Sequence, residues 1–348
     1  IYGLGGNDTI IGLGGNDRLD GGSGIDTVDY SGNSTAGVQV NLTIGTTYSI
    51  ESGTDVLVSI ENVIGTIFAD QIIGNNGDNV LTGLGGNDQL NGEAGNDTYV
   101  FGNSWGTDSI SDTAGVDTVT FAGQTDGFSA VIQTSGMIIT SGTNTLTVAG
   151  SVIENLTGSM GADVFHFENN ASISGSINGQ SGENTLDLSA YASGRAITLT
   201  GIGSITGFAG TVNGALVNGF DNISILNGSS GVDTLTGLNQ TSEWNINNLG
   251  NTYISGSRTM SFAAIENLTG GSGNDTFNWI GSGSLTGNIT GGSGSNRLDY
   301  SAYTAGDITV NLQLRSITGL GGTFSGISVL SGSTANATTI IGLDSANT

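Results

Sequence analysis

Three nine-residue units follow one another without a gap in residues 3–29: Gly3-Leu-Gly-Gly-Asn-Asp8-Thr-Ile-Ile, Gly12-Leu-Gly-Gly-Asn-Asp17-Arg-Leu-Asp and Gly21-Gly-Ser-Gly-Ile-Asp26-Thr-Val-Asp. A frame this short leaves few folds open. Each unit sets one Asp after a glycine-rich bend and one aliphatic residue two positions later (Ile10, Leu19, Val28), so carboxylates gather at turns and apolar side chains gather inside. A second block in residues 65–100 keeps the frame, with Gly83-Leu-Gly-Gly-Asn-Asp88-Gln-Leu and Gly92-Glu-Ala-Gly-Asn-Asp97-Thr-Tyr. A flexible Gly/Asn/Asp linker has no reason to repeat an apolar residue two places after every Asp. A single unit buries little, so its stability has to come from stacked neighbours.

The same spacing carries oxygen chemistry. Glycine tolerates positive φ, so a six-residue turn can aim several backbone carbonyls and one carboxylate at a common centre. Calcium takes six to eight oxygens in loose geometry, and one turn offers only part of that shell. The pattern G-G-x-G-x-D-x-U-x resembles the calcium-binding nonapeptide of the RTX family of secreted bacterial proteins. The resemblance implies a parallel β-roll with two nonapeptides per coil and an ion between turns eighteen residues apart. That pairs Asp8 with Asp26, Asp70 with Asp88, and Asn79 with Asp97. The neutral amide of Asn79 makes a weaker ligand, and the turn Gly65-Thr-Ile-Phe-Ala-Asp70 lacks the second pair of glycines.

A half-motif, G-x-[D/N]-x-U, continues beyond the two blocks at Asp55, Asp108, Asp117, Asp163, Asp233 and Asp275. Asp108 and Asp117 keep the nine-residue step, and Gly270-Gly-Ser-Gly-Asn-Asp275-Thr-Phe has the full consensus in a single copy. The expected calcium ligands are therefore Asp8, Asp17, Asp26, Asp70, Asn79, Asp88, Asp97, Asp108, Asp117 and Asp275. Asp163 and Asp275 have a competing reading as Asx-type turn formers that bond to their own backbone.

Charge narrows the partners. Thirty acidic residues face five arginines and no lysine, a formal charge of -25, and 17 of the 30 lie in the first 126 residues. Such a chain repels nucleic acid and anionic membranes, which are bound through Lys/Arg clusters, and bound divalent cations would relieve its self-repulsion. There is no cysteine in the 348 residues, so ions and stacked strands have to supply the stability that disulfides give small secreted modules. No apolar run reaches the length of a membrane span and no signal peptide opens the chain. Ile1-Tyr2 fits the last two positions of a preceding nonapeptide, so the chain is expected to begin inside a repeat of something larger. The family resemblance implies type I export in an unfolded state and folding in extracellular calcium, where metal binding becomes folding free energy.

A longer repeat steps by 112 residues. Ile153-Glu-Asn-Leu-Thr-Gly158 returns as Ile265-Glu-Asn-Leu-Thr-Gly270, and residues 181–191 return as residues 293–303. A short version opens with Asp29-Tyr-Ser31 and ends with Ile60-Glu-Asn-Val63. Alternation in residues 38–44, 196–200 and 308–317 predicts one strand in each, while 62 glycines interrupt any helical pattern and the absence of proline suits stacked strands. The expected fold is all-β and elongated, a parallel β-roll or β-solenoid with calcium-binding turns over residues 1–125. It continues over residues 126–348 as a β-solenoid-like region with the 112-residue repeat.

Catalysis is not expected. Without Cys or Lys and with His166 as the single histidine, the usual nucleophile and base sets cannot be assembled. Trp105, Trp244 and Trp279 could stack on sugars, but they are far apart in sequence, and packing inside the coils is the plainer reading. The sequence therefore points to a structural, calcium-stabilised segment of a secreted or cell-surface bacterial protein. Its settings would be a surface layer, sheath, extracellular fibre or adhesin, and its partners calcium, other copies of itself or cell-surface polysaccharide. The alternative is the secretion-and-folding repeat domain of an exported protease, lipase or epimerase.

Overall fold

The computed structural model describes residues 1–342, and the end of the second 112-residue copy, toward residue 348, lies outside the described residues. Among the described residues every regular element is a β-strand, and no helix is long and apolar enough to cross a membrane. The chain forms two units, Ile1–Phe165 with Ala171–Gly182, and His166–Asn170 with Glu183–Thr348. Residue 125, where the calcium-binding turns are expected to give way to the longer repeat, lies within the first of these units.

In the first unit each coil contributes one short strand to each of two faces. On one face Thr9–Ile10, Thr27–Asp29, Asn62–Ile64, Val80–Thr82, Thr98–Val100, Thr118–Thr120, Asn155–Thr157 and Ser176–Asn178 lie parallel in that order. The central residue of a three-residue strand points inward. Val28, Val63, Leu81, Tyr99, Val119, Leu156 and Ile177 are accordingly buried, as are Leu19, Ile72, Leu90 and Ile110 of the opposite face. The aliphatic position two residues after each Asp is this inward position. The all-β parallel solenoid expected from the repeats is the observed fold.

Sequence reading missed how the regular coil is interrupted. Gln39–Asn41, Thr46–Tyr48 and Val56–Val58 form an antiparallel meander whose outer strands pair in parallel with Gln71–Ile73 on one side and Arg18–Asp20 on the other. One coil therefore places three strands on a face where its neighbours place one. A second such meander is Ser129–Gln133, Gly136–Ser141 and Asn144–Ala149, the last of these parallel to Thr107–Ser111.

Residues 38–44, expected as one strand, stop at Asn41 because its side-chain oxygen accepts the Ile44 N–H at 3.1 Å and turns the chain back. Residues 308–317 break for the same reason. Asn311 accepts the Leu314 N–H at 2.9 Å, giving antiparallel Ile308–Asn311 and Ser316–Ile317. The expectation over residues 196–200 holds within the strand Ala196–Ile202.

The second unit uses the same parts. Ala196–Ile202, Phe208–Val212 and Leu216–Ile223 form one meander, and Ser242–Asn247, Asn251–Ser255 and Arg258–Ala263 form another. Asn267–Thr269 and Arg297–Asp299 occupy the places in the 112-residue repeat that Asn155–Thr157 and Thr185–Asp187 hold in the first copy. Trp244 stacks on Phe277 with ring centroids 5.6 Å apart, Trp279 stacks on Tyr300 at 4.5 Å, and Trp105 packs among Phe101 and Phe121 in the first unit. All three tryptophans are fully buried, so none presents a face to a sugar.

Stacking brings glycine turns into contact. Gly106 has φ +91°, and a Cβ there would stand 1.6 Å from the Gly86 carbonyl oxygen of the adjacent coil. Gly106→Ala should therefore cost at least about 2 kcal/mol, from a backbone strained at positive φ together with the clash. Gly123→Ala, with nothing within 4 Å of its Cβ, should stay within roughly 0.5 kcal/mol of wild type. Chemical denaturation of both variants in calcium measures the difference, and equal midpoints would contradict the close stacking.

Candidate metal centre

The stacked glycine turns end on an Asp, or in places an Asn, immediately before a strand, and that residue binds its neighbour through the backbone. One carboxylate oxygen accepts the N–H of the equivalent residue one coil earlier. Asp26 accepts from Asp8 at 2.8 Å, Asp88 from Asp70 at 2.9 Å, and Asp97 from Asn79 at 2.7 Å. Asp108 accepts from Asp88 and Asp117 from Asp97, both at 2.8 Å. The three pairs expected at eighteen-residue spacing are thus adjacent turns. Further out, Asn7, Asn87 and Asn96 make the link in the opposite sense, accepting the N–H groups of Ile25, Thr107 and Val116 one coil later.

The second oxygen is what a metal would use. Oδ2 of Asp8, Asp26, Asp88, Asp97 and Asp108 and Oδ1 of Asp275 are closed off from solvent and have no hydrogen-bond partner. A buried acceptor left unpaired costs free energy, and a charged one costs more. Those of Asp8, Asp26, Asp88 and Asp97 lie over turn glycines, where a Cβ on Gly83 or Gly92 would stand 2.1 or 2.2 Å from Oδ2 of Asp88 or Asp97, whereas in Asp275 the oxygen over Gly270 is Oδ2, which accepts the Gly271 N–H at 3.1 Å. Glycine keeps the space open. The donor set is entirely oxygen, as a hard divalent cation requires.

Electrostatics agrees with the geometry. Burial first, and neighbouring carboxylates second, push Asp88 up to about 8. Asp97 and Asp108 are each raised to about 7, chiefly by burial. Burial likewise lifts Asp117 and Asp275 to about 6. A cation between the turns would favour the ionised form and reverse these shifts.

The remaining expected ligands differ. The Asp70 carboxylate accepts from Val38 N at 2.7 Å, Thr66 N at 2.6 Å and Thr66 Oγ1 at 2.9 Å. Asn79 accepts from Asn75 N at 2.8 Å and donates to the Glu61 carbonyl at 2.7 Å. Asp17 is half-buried and gives its own N–H to Asp55 at 3.0 Å. Asp163 and Asp233 resemble Asp70, since Ser159 and Ser229 each supply an N–H and a hydroxyl to the carboxylate four residues ahead. In these three turns a Thr or Ser side chain occupies the carboxylate from within.

Glu61, Glu154 and Glu266 were not anticipated as members of this ladder. They accept the N–H groups of Asp26, Asp117 and Asp233, each at 2.8 Å. The following Asn62, Asn155 and Asn267 accept from Val80, Ser176 and Asn288 of the coil after. The signal was present as the recurring Ile-Glu-Asn triplet at residues 60, 153 and 265. At another point Asp97, Asp112 and Asp117 each bring an oxygen within 4.8 Å of the others, and Asp112 too was not anticipated.

His166 lies on a strand with Nδ1 2.7 Å from Asp187 Oδ2. Burial opposes ionisation of Asp187, but the hydrogen bonds from His166 and Ser189 outweigh it and lower its pKa.

Two measurements follow from the raised carboxylates. In chelator the folded chain holds protons that the unfolded chain, with Asp near 3.8, has released, so stability is greatest at low pH and falls as pH rises toward about 8. Thermal midpoints across that range should decline in chelator and stay level in calcium, and a midpoint that rises with pH in chelator would contradict the assignment. Asp88→Asn removes the cost of protonating or burying this carboxylate at nearly constant shape, so it should raise the midpoint in chelator at neutral pH and lower it in calcium. A shift of the same sign in both would show that Asp88 meets no cation.

A family profile described as the RTX calcium-binding nonapeptide repeat (4 copies) matches residues 1–28, 64–99 and 263–278. No curated protein matches the chain. The matched stretches contain Asp8, Asp17, Asp26, Asp70, Asn79, Asp88, Asp97 and Asp275, whereas Asp108 and Asp117 lie beyond them. Over those stretches the chain is built of RTX calcium-binding nonapeptide repeats, and calcium is the ion they take.

Proposed function

We propose that this chain is a structural, calcium-stabilised segment of a large secreted or cell-surface bacterial protein, of the surface-layer, sheath, fibre or adhesin kind. The observation that carries the reading is the recurrence of one coil-and-meander unit at the 112-residue step, beyond the two tandem nonapeptide blocks. Its polar side chains are committed to linking coils, with Glu154 and Asn155 of the first copy doing what Glu266 and Asn267 do in the second. Export by the type I route and an extracellular site of action accompany the repeats. The chain is not an enzyme in this reading, and its partners are calcium and further copies of itself or a cell-surface polysaccharide.

A change in calcium dependence near residue 125 also belongs to this reading. Asp163 and Asp233, beyond that point, are held by Ser159 and Ser229, while Asp8, Asp26, Asp88, Asp97 and Asp108, before it, keep an unpartnered oxygen. Asp275 is the exception in the later part. The second reading, a secretion-and-folding domain of an exported enzyme, is favoured by the first 125 residues alone.

Sedimentation velocity with circular dichroism, in chelator and then in millimolar calcium, tests the proposal. Calcium-driven growth of large β-rich assemblies is the result expected of a surface layer or fibre, and a folded monomer at every concentration would favour an adhesin stalk or the secretion-linked alternative. Spectra and sedimentation unchanged by calcium would sink both readings.

A further inference from the structure

The coil step lengthens from 18 to 20 residues between Asn79–Asp97 and Asp97–Asp117. At this place the chain departs from its own frame. Thr98 pairs with Thr118, so Asp112 occupies the position that Gly92 holds one coil earlier. A carboxylate stands where the repeat has glycine.

Asp112 is fixed there by two donors. Thr113 N–H reaches its Oδ1 at 2.5 Å, and the Tyr99 hydroxyl donates to its Oδ2. The Tyr99 hydroxyl in turn accepts the Gly92 N–H at 2.7 Å, tying Asp112 to the turn of the coil before. Oxygens of Asp97, Asp112 and Asp117 then lie within 4.8 Å of one another. Asp97 and Asp117 are each 1% exposed, and Asp97 Oδ2 has no hydrogen-bond partner. Asp78 and Glu154 add negative potential nearby.

We propose that Asp97, Asp112 and Asp117 form a three-carboxylate calcium site, with Asp112 as a ligand from outside the nonapeptide frame, and that this is the tightest calcium site of the chain. The inference rests on the calcium reading of the repeats and adds a residue and a ranking to it. Three carboxylates this close repel one another unless a cation or protons intervene. Affinity in oxygen-only sites rises with ligand charge, and a regular pair of turns such as Asp8 and Asp26 brings two carboxylates rather than three. The absence of any nitrogen or sulfur donor disfavours zinc, and carboxylates drawn from two successive turns suit the loose coordination of calcium better than octahedral magnesium.

The test is calorimetric titration of the full chain with calcium chloride, for wild type, Asp112→Asn and Asp112→Gly. Asn keeps the shape of the side chain, and Gly restores what the repeat carries one coil earlier. The expected result is loss of the tightest class of sites in both variants, by roughly tenfold or more in Kd, with the remaining sites unchanged. Circular dichroism in saturating calcium identifies a variant that fails to fold, and the other variant then decides. If wild type takes up calcium and a folded variant keeps the same stoichiometry and the same tightest Kd, the proposal is overturned. If wild type takes up no calcium, the repeat reading itself fails, a result distinct from the first.

Discussion

The fabric of this protein depends on one hydrogen bond repeated from coil to coil, in which an acidic side chain at the end of a turn accepts the backbone N–H of its counterpart one coil earlier. That N–H sits just before a strand and is buried by the stacking, so it needs a partner. An Asp that provides one oxygen for this purpose is left with another. In Asp26, Asp88 and Asp97 the second oxygen is buried over a glycine and accepts no hydrogen bond. Stacking the coils therefore creates the demand for a cation, and a cation makes the stacking tolerable. Folding and calcium binding are two aspects of the same geometry.

The meanders strain this arrangement, because a coil carrying three strands on one face returns to the stack after more than thirty residues. The chain meets it with Ile-Glu-Asn. Asn62 pairs with Thr27 in the sheet, so Glu61 stands in register with Asp26 as its ladder counterpart. It is one methylene longer than the Asp it replaces and follows a strand rather than a glycine bend. The adjacent Asn62 passes the ladder on by accepting from Val80. Isoleucine fills the interior beside the pair, as the burial of Ile60, Ile153 and Ile265 shows. The triplet thus closes the interruptions that end at Val58, Ala149 and Ala263, while the meander ending at Ile223 returns to the stack without it.

The regular coils were legible in the sequence because everything that defines them lies within nine residues. The Asp positions, the inward aliphatic residues and the eighteen-residue pairing all follow from local spacing. What was hidden depended on contacts at 33 to 38 residues, such as Glu266 with Asp233 or Asp55 with Asp17, for which spacing gives no partner. The meanders were hidden for another reason. In residues 38–44 the alternation continues through Asn41, and only the side-chain bond from Asn41 to Ile44 makes a turn of what reads as a strand. Asp112 was not legible because it stands in a slot that the nonapeptide frame gives to glycine, and only the register of Thr98 with Thr118 places it there.

The two kinds of acidic turn show how dependence on calcium can be graded along one fold. In Gly65-Thr-Ile-Phe-Ala-Asp70, Gly158-Ser-Met-Gly-Ala-Asp163 and Gly228-Ser-Ser-Gly-Val-Asp233, the residue after the first glycine carries a hydroxyl. That hydroxyl, its own N–H and an N–H from the neighbouring coil give each carboxylate three donors. In the calcium turns the same place is taken by Leu4, Leu84 or Glu93, which adopt positive φ and leave the carboxylate oxygen unclaimed. Both solutions supply the acceptor that the ladder needs, but only one leaves an uncompensated charge in the interior. The backbone conformation at that position matters more than the hydroxyl itself: Ser104, in the turn before Asp108, also adopts positive φ and leaves Oδ2 of Asp108 unclaimed. The order in which such turns occur along the chain sets where calcium controls the fold.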